Sequence, residues 1–175
     1  MVSDQTIGVS LAVPDPYGAD LQRQREAFGD PLASKVPAHV TLVPPTPVAG
    51  GDMEAVLAHL TSVAAITEPF RLRLRGTGTF RPISPVVFVS VVEGISPSEL
   101  LQEKLRRPPL ERELLFPYHP HVTVAHNVEE HVLDRAFKEL AGFHAVFDVE
   151  AFWLYEHGAD EVWRPVRPFP LMGGR

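Results

Sequence analysis

Pro37-Ala38-His39-Val40-Thr41-Leu42-Val43 and His119-Pro120-His121-Val122-Thr123-Val124-Ala125 carry the same tripeptide, His-Val-Thr. Each copy follows a proline and sits in a short run of β-branched and apolar residues, so each is expected to be a strand. On a strand, residues i and i+2 share a face. One face of each copy then holds an imidazole beside a hydroxyl: His39 with Thr41, and His121 with Thr123. The other face, Val40 and Leu42 or Val122 and Val124, is expected to pack inward. A titratable group beside a neutral hydrogen-bond donor, made twice, suggests a cleft built from two similar strands.

Around the first copy the alternation continues. Ile7, Val9, Leu11 and Val13 form one face of a half-buried strand, and Gly8, Ser10 and Ala12 the other. That second face is small enough either to pack closely on a neighbour or to leave room for a ligand. Asp20 to Phe28 is expected to be a polar helix stopped by Gly29. Pro44-Pro45-Thr46-Pro47 is expected to end the first His-Val-Thr strand, because proline cannot donate to a central ladder.

Asp52 is expected to cap a helix whose inner stripe is Met53, Val56, Leu57, Leu60, Val63 and Ala64. Phe70 to Arg75 alternates, placing Arg71, Arg73 and Arg75 on one face, either a solvated sheet face or a basic track for RNA. Gly76 to Phe80 is expected to break that strand. Pro85 to Val92 is continuously apolar and reads as a central strand. Ser96-Pro97-Ser98-Glu99 reads as a helix start, with Leu100, Leu101 and Leu105 inward. After the second His-Val-Thr strand, a helix starts at Asn127 or Glu129 and stops at Gly142. Ala145 to Tyr155 is a long strand or a bulged pair, and Val162 to Val166 closes a hairpin with it.

Strands joined partly by hairpins and partly by helices imply an α+β fold, with helices outside mostly antiparallel sheets. The order His-Val-Thr strand, helix, two strands occurs twice. Two lobes meeting at a shared cleft, one motif from each, follow from that repeat.

The bulk numbers set limits. At 175 residues, the chain is expected to form a single bilobal domain spanning 1–175. There is no cysteine, which excludes thiol catalysis and zinc ribbons. No stretch approaches the ~18 apolar residues of a membrane span, and Met1 to Gln5 shows no secretion pattern. A cytoplasmic monomer without membrane or protein partners is therefore expected. The net charge of −6 argues against a nonspecific nucleic-acid coat, though not against a small phosphorylated ligand or an RNA end.

Paired imidazoles suit a phosphodiester. The attacking oxygen must lose a proton and the leaving oxygen must gain one. Histidine does either, because its ordinary pKa is about 6.5. Threonine hydroxyls on the same face can donate to the non-bridging oxygens as charge builds there. This scheme uses no cofactor and no metal. A competing reading takes His119, two residues before His121, as part of a His-x-His zinc site with His39. No carboxylate stands at a motif-like spacing, and Lys35-Val36-Pro37 in the first copy does not match. His119 is assigned instead to the cleft rim or to tuning His121. Tyr118, Phe80 and Phe116 are placed at the cleft edge, where they could stack on a base or simply pack.

His39-Val40-Thr41-Leu42 and His121-Val122-Thr123-Val124 resemble the paired signature of the two-histidine (2H) phosphoesterase superfamily, in its 2′-5′ RNA ligase-like (LigT-like) branch. Arg75 to Phe80 resembles that branch's Gly-x-Gly-x-Phe segment. Phe152 to Tyr155 with Trp163 to Leu171 resembles its closing hairpin. The resemblance implies a bilobal fold with a pseudo-twofold repeat about a central cleft. It implies action on nucleotides or RNA 3′-ends: opening 2′,3′-cyclic phosphates, or making and breaking 2′-5′ linkages. His39 and His121 would then share the acid and base roles, and Thr41 and Thr123 would hold the phosphate. One departure stands out, since the branch commonly has Arg just after the second motif and this chain has His126. Two alternatives are a cleft that binds such a ligand without turnover, and an enzyme acting on a non-RNA cyclic phosphate such as that of ADP-ribose.

Overall fold

The computed structural model describes residues 3–174. Eight strands and four helices follow in the order β1 (Gln5–Ala12), α1 (Tyr17–Ala27), β2 (His39–Val48), α2 (Met53–Ile66), β3 (Phe70–Thr79), β4 (Val86–Glu93), α3 (Ile95–Leu105), β5 (His121–His126), α4 (Glu130–Glu139), β6 (His144–Val149), β7 (Ala151–His157) and β8 (Trp163–Pro170). The strands form two four-stranded sheets, β2-β1-β7-β8 and β5-β4-β3-β6. All their pairings are antiparallel. The fold is α+β, with two curled sheets in a pseudo-twofold arrangement. Among the described residues, no helix is long and apolar enough to cross a membrane.

Most of the expected inner faces are inside, but Leu100, expected to face inward from α3, is 56% exposed while Leu101 and Leu105 are buried. Ile7, Val9, Leu11, Val40, Leu42, Val122 and Val124 are all buried. The apolar run in β4 forms an interior strand between β5 and β3, as continuous hydrophobicity implies. Helices link the two sheets: α1 packs on β5 of one, and α3 on β2 of the other.

Several boundaries differ from expectation for reasons that lie in tertiary context. β2 runs on through Pro44, Pro45 and Pro47 to Val48 because it is an edge strand, and Pro44 and Pro45 fall at a register shift against β1. β8, the other edge of that sheet, likewise carries Pro165, Pro168 and Pro170 and extends to Pro170. Gly76 to Thr79 stays in β3, which passes two register shifts against β4 instead of stopping. There the Phe88 ring lies across Gly78, where an added Cβ would come within 2.6 Å of it.

Asp52 precedes α2 but makes no capping side-chain bond. It closes a 3-10 turn over Gly50–Asp52, with its N–H on the Ala49 carbonyl. α3 starts at Ile95, and its N-cap is Gly94 at φ 91, not Ser96. The long segment from Ala145 to Tyr155 divides at Glu150 into β6 and β7, which belong to different sheets. The repeated halves therefore do not each build a lobe. β3 and β4, which follow the first motif, join the sheet of the second motif. β7, which follows the second motif, joins the sheet of the first.

Candidate active site

His39 opens β2 and His121 opens β5. Each strand is the edge of its sheet, and the two edges lie against each other. With Val40, Leu42, Val122 and Val124 turned inward, His39, Thr41, His121 and Thr123 are left half-buried on the cleft faces. The pleat thus brings together the four residues singled out in the sequence.

The two rings are held in the same way. His39 Nδ1 lies 2.6 Å from the Pro37 carbonyl oxygen, and His121 Nδ1 lies 2.7 Å from that of His119. A carbonyl only accepts, so Nδ1 must carry the proton in each ring. That leaves Nε2 of both rings to take up or release a proton. Burial lowers the pKa of each below the usual histidine value. For His39, the nearby Arg25 charge lowers it further, against the Pro37 carbonyl, which raises it. For His121 the value falls to about 4, with desolvation as the main cause and His119 and His39 adding to it. The cleft thus holds two neutral imidazoles with matched tautomers.

Space opens on both sides of the histidines. On the His39 side, a cavity of about 190 Å³ is lined by Gly8, Ser10, Arg25, Thr41, Thr123, His126 and Trp163, among others. On the His121 side, a second one of about 460 Å³ is lined by Phe80, Ile83, Phe116, Tyr118, His119 and His121, among others. Thr41 borders both. The small face of β1 serves both purposes considered for it: Gly8 lets the Trp163 ring approach to 3.0 Å of where a Cβ would sit, and Gly8 and Ser10 wall the first cavity.

The rim residues divide by role. Phe80 meets the His121 ring edge-on at 4.9 Å and the His119 ring at 5.6 Å. His119 lies 5.9 Å from His121, ring centre to ring centre. Tyr118 turns its hydroxyl onto the Thr41 carbonyl, at 2.7 Å, and so spans from the segment before β5 to β2. Phe116 is exposed beside the second cavity.

Arg71 and Arg73 do not reach the cleft. They pair with Asp148 at 3.3 Å and Glu93 at 3.0 Å on an exposed sheet face. None of the three arginines of β3 lines either cavity.

Sequence reasoning missed Arg25, Asp30, Phe88 and Trp163. Arg25 is only 6% exposed; its Nε donates to Asp30 Oδ2 at 2.7 Å, and its side chain lines the first cavity. The available signal was spacing: Leu21, Arg25 and Phe28 follow at helical intervals and are all buried, so the arginine stands within the apolar stripe of α1. Phe88 packs 5.1 Å from the His121 ring and 4.6 Å from Phe80. An apolar strand pattern shows only that such a ring is inside.

A family model described as the 2′-5′ RNA ligase superfamily matches residues 13–161. A Bacillus cytotoxicus protein with a provisional phosphoesterase name is 26% identical over 147 residues, covering 83% of this chain and 85% of its own length. A protein similarly named in Oceanobacillus iheyensis is 27% identical over 146 residues, covering 81% and 84%. Among solved structures, E. coli LigT complexed with 3′-AMP superposes with a TM-score of 0.70 at 20% identity, over 97% of this chain and 99% of that one. That last likeness is one of fold.

Proposed function

The chain belongs to the 2′-5′ RNA ligase superfamily, and from that premise we propose that it is a metal-independent phosphoesterase acting on nucleotides or RNA 3′-ends by two-histidine acid–base catalysis. One observation carries the proposal. Two imidazoles, each fixed through Nδ1 to a backbone carbonyl, come from facing edge strands, and each has a threonine on the same cleft face.

The chemistry follows from that arrangement. With a 2′,3′-cyclic phosphate between the strands, Nε2 of one histidine takes a proton from water as the water oxygen bonds to phosphorus. The ester bond to one ribose oxygen breaks, and that oxygen receives a proton from Nε2–H of the other histidine. The product is a phosphomonoester on the ribose. Thr41 and Thr123 hydroxyls donate to the non-bridging oxygens. If a ribose hydroxyl replaces water, the same transfers make a 2′-5′ linkage. The depressed histidine pKa values fit this scheme. A bound phosphate anion favours a protonated imidazole, so the substrate itself supplies the charge that keeps one histidine in its acid form. The fold relative crystallised with 3′-AMP supports a ribose phosphate as ligand.

The test is turnover of a panel of 2′,3′-cyclic nucleotides, cyclic-phosphate-ended oligonucleotides and ADP-ribose cyclic phosphate, with chelator present, followed by phosphorus NMR. Turnover that survives chelation and is lost in both His39→Ala and His121→Ala is the expected result. Binding without product would replace the enzyme with a binding module, and dependence on added zinc would sink the metal-free scheme.

A further inference from the structure

We propose that Arg25, on α1, binds the phosphate charge in this cleft. The inference rests on the phosphate-ligand reading above and deepens it.

A phosphodiester carries a negative charge, and the residues so far assigned to hold it are neutral. Thr41 and Thr123 are hydroxyls, and burial disfavours charge on the two imidazoles. Among the described residues that line the two cavities beside them, Arg25 is the only arginine or lysine. His126, at the position after the second motif, reaches the same cavity but extends a short ring rather than a guanidinium.

Arg25 is built to present its charge. It is buried, yet its side chain lines the cavity shared with His39, Thr41 and Thr123. Asp30 holds it through Nε alone, and neither terminal guanidinium nitrogen donates to a described residue. These two nitrogens form a planar fork of the kind that matches two phosphate oxygens. Asp30 could in principle cancel the charge, but its carboxylate lies behind the cavity wall rather than in it. It is also satisfied from elsewhere: Oδ1 accepts the Leu32 N–H at 2.9 Å, and Oδ2 accepts the His126 N–H at 2.9 Å. The pair therefore turns its positive end toward the cleft. Its negative end ties α1 to β5 at His126, so the guanidinium is fixed relative to the strand that carries Thr123.

The bland alternative is that Arg25 serves only as countercharge to buried Asp30. An arginine in that role alone would be sealed behind the carboxylate, but the unpartnered terminal nitrogens of Arg25 are not fully buried: among the described residues, Ser98 Oγ is the one fully buried side-chain polar atom without a partner.

The experiment is calorimetric binding of inorganic phosphate and 3′-AMP at pH 7.5 to four proteins: wild type, Asp30→Asn, Arg25→Gln/Asp30→Asn and Arg25→Lys/Asp30→Asn. The Asp30→Asn background avoids an orphaned buried carboxylate, and circular dichroism confirms the fold of each. The expected result is that the Gln variant binds both ligands about 10- to 100-fold more weakly than its Asp30→Asn parent, the factor that a charge-assisted hydrogen bond to phosphate carries. The Lys variant, which restores the charge without the fork, should recover part of that loss. Equal binding by the Gln variant and its parent overturns the proposal, as does a loss that lysine does not rescue, or a wild type that binds neither ligand. Turnover is scored separately. Binding through Arg25 without turnover refutes the enzyme and leaves this inference standing. Turnover and phosphate binding unchanged in the Gln variant refute only the inference.

Discussion

The Tyr118 hydroxyl donates to the Thr41 carbonyl at 2.7 Å, joining the segment before β5 to the middle of β2. Burial pushes its pKa up, so the phenol remains a donor across the working pH range. The bond ties the two motif-bearing strands across the cleft at the residue that borders both cavities. Tyr118→Phe keeps the ring and removes the bond. The expected cost is about 0.5–1.5 kcal/mol in urea denaturation, the ordinary net value of one hydrogen bond. Faster amide exchange at residues 39–43 should accompany it.

Loss of either imidazole removes one proton transfer. His39→Ala and His121→Ala should each lower kcat by about 10²–10⁴-fold. The double variant should fall by less than the product of the two factors, because the transfers belong to one step. An additive double variant would argue against a shared transition state.

Because burial holds the His121 pKa down near 4, the folded protein resists protonation there. The unfolded chain takes up that proton at about 6.5. Above about 6.5 both states are neutral, and the histidine contributes no pH dependence. As pH falls below that value the unfolded state binds the proton first, so stability drops until the folded group also protonates near 4. His39, shifted in the same direction, adds to the slope. Urea midpoints measured from pH 7 to pH 4 should fall, and His121→Asn should flatten part of that fall. Added phosphate should raise the His121 pKa in a proton NMR titration.

Gly78 leaves the space that the Phe88 ring occupies, and that ring also touches Phe80, His119 and His121. Phe88 is buried and cannot swing out. Gly78→Ala should destabilise the fold by about 1–3 kcal/mol, as overpacking does. It should also shift the His121 ring resonances although residue 78 is not in the motif. A neutral effect on both would show that the aromatic cluster is looser than its packing implies.

The motif residues were legible because a two-residue period and a repeated tripeptide are local features. Their faces follow from the pleat alone, and Val40 and Val122 lie inside accordingly. What escaped depends on distant partners. Prolines inside β2 and β8 are tolerated only because those strands lie at sheet edges, and a strand's place in a sheet is not written in its own residues. Arg25 looked like one polar residue in a polar helix. Its meaning comes from Asp30, from β5 and from the cavity they border. The assignment of β6 and β7 to different sheets turns on a single residue, Glu150, in an otherwise strand-like run.

The division of strands between the sheets also sets an order of assembly. The sheet that carries His121 is drawn from one continuous segment, β3 to β6, and all of it exists once Val149 has been made. The sheet that carries His39 takes two strands from near the start of the chain and two from near its end, so it lacks its last member until Pro170 is added. β1 and β2, joined through α1, are made well before β7 and β8, the strands that complete their sheet. A cleft with both histidines on full sheets therefore needs the closing hairpin, since without β7 and β8 the strand that carries His39 would belong to a two-stranded half-sheet.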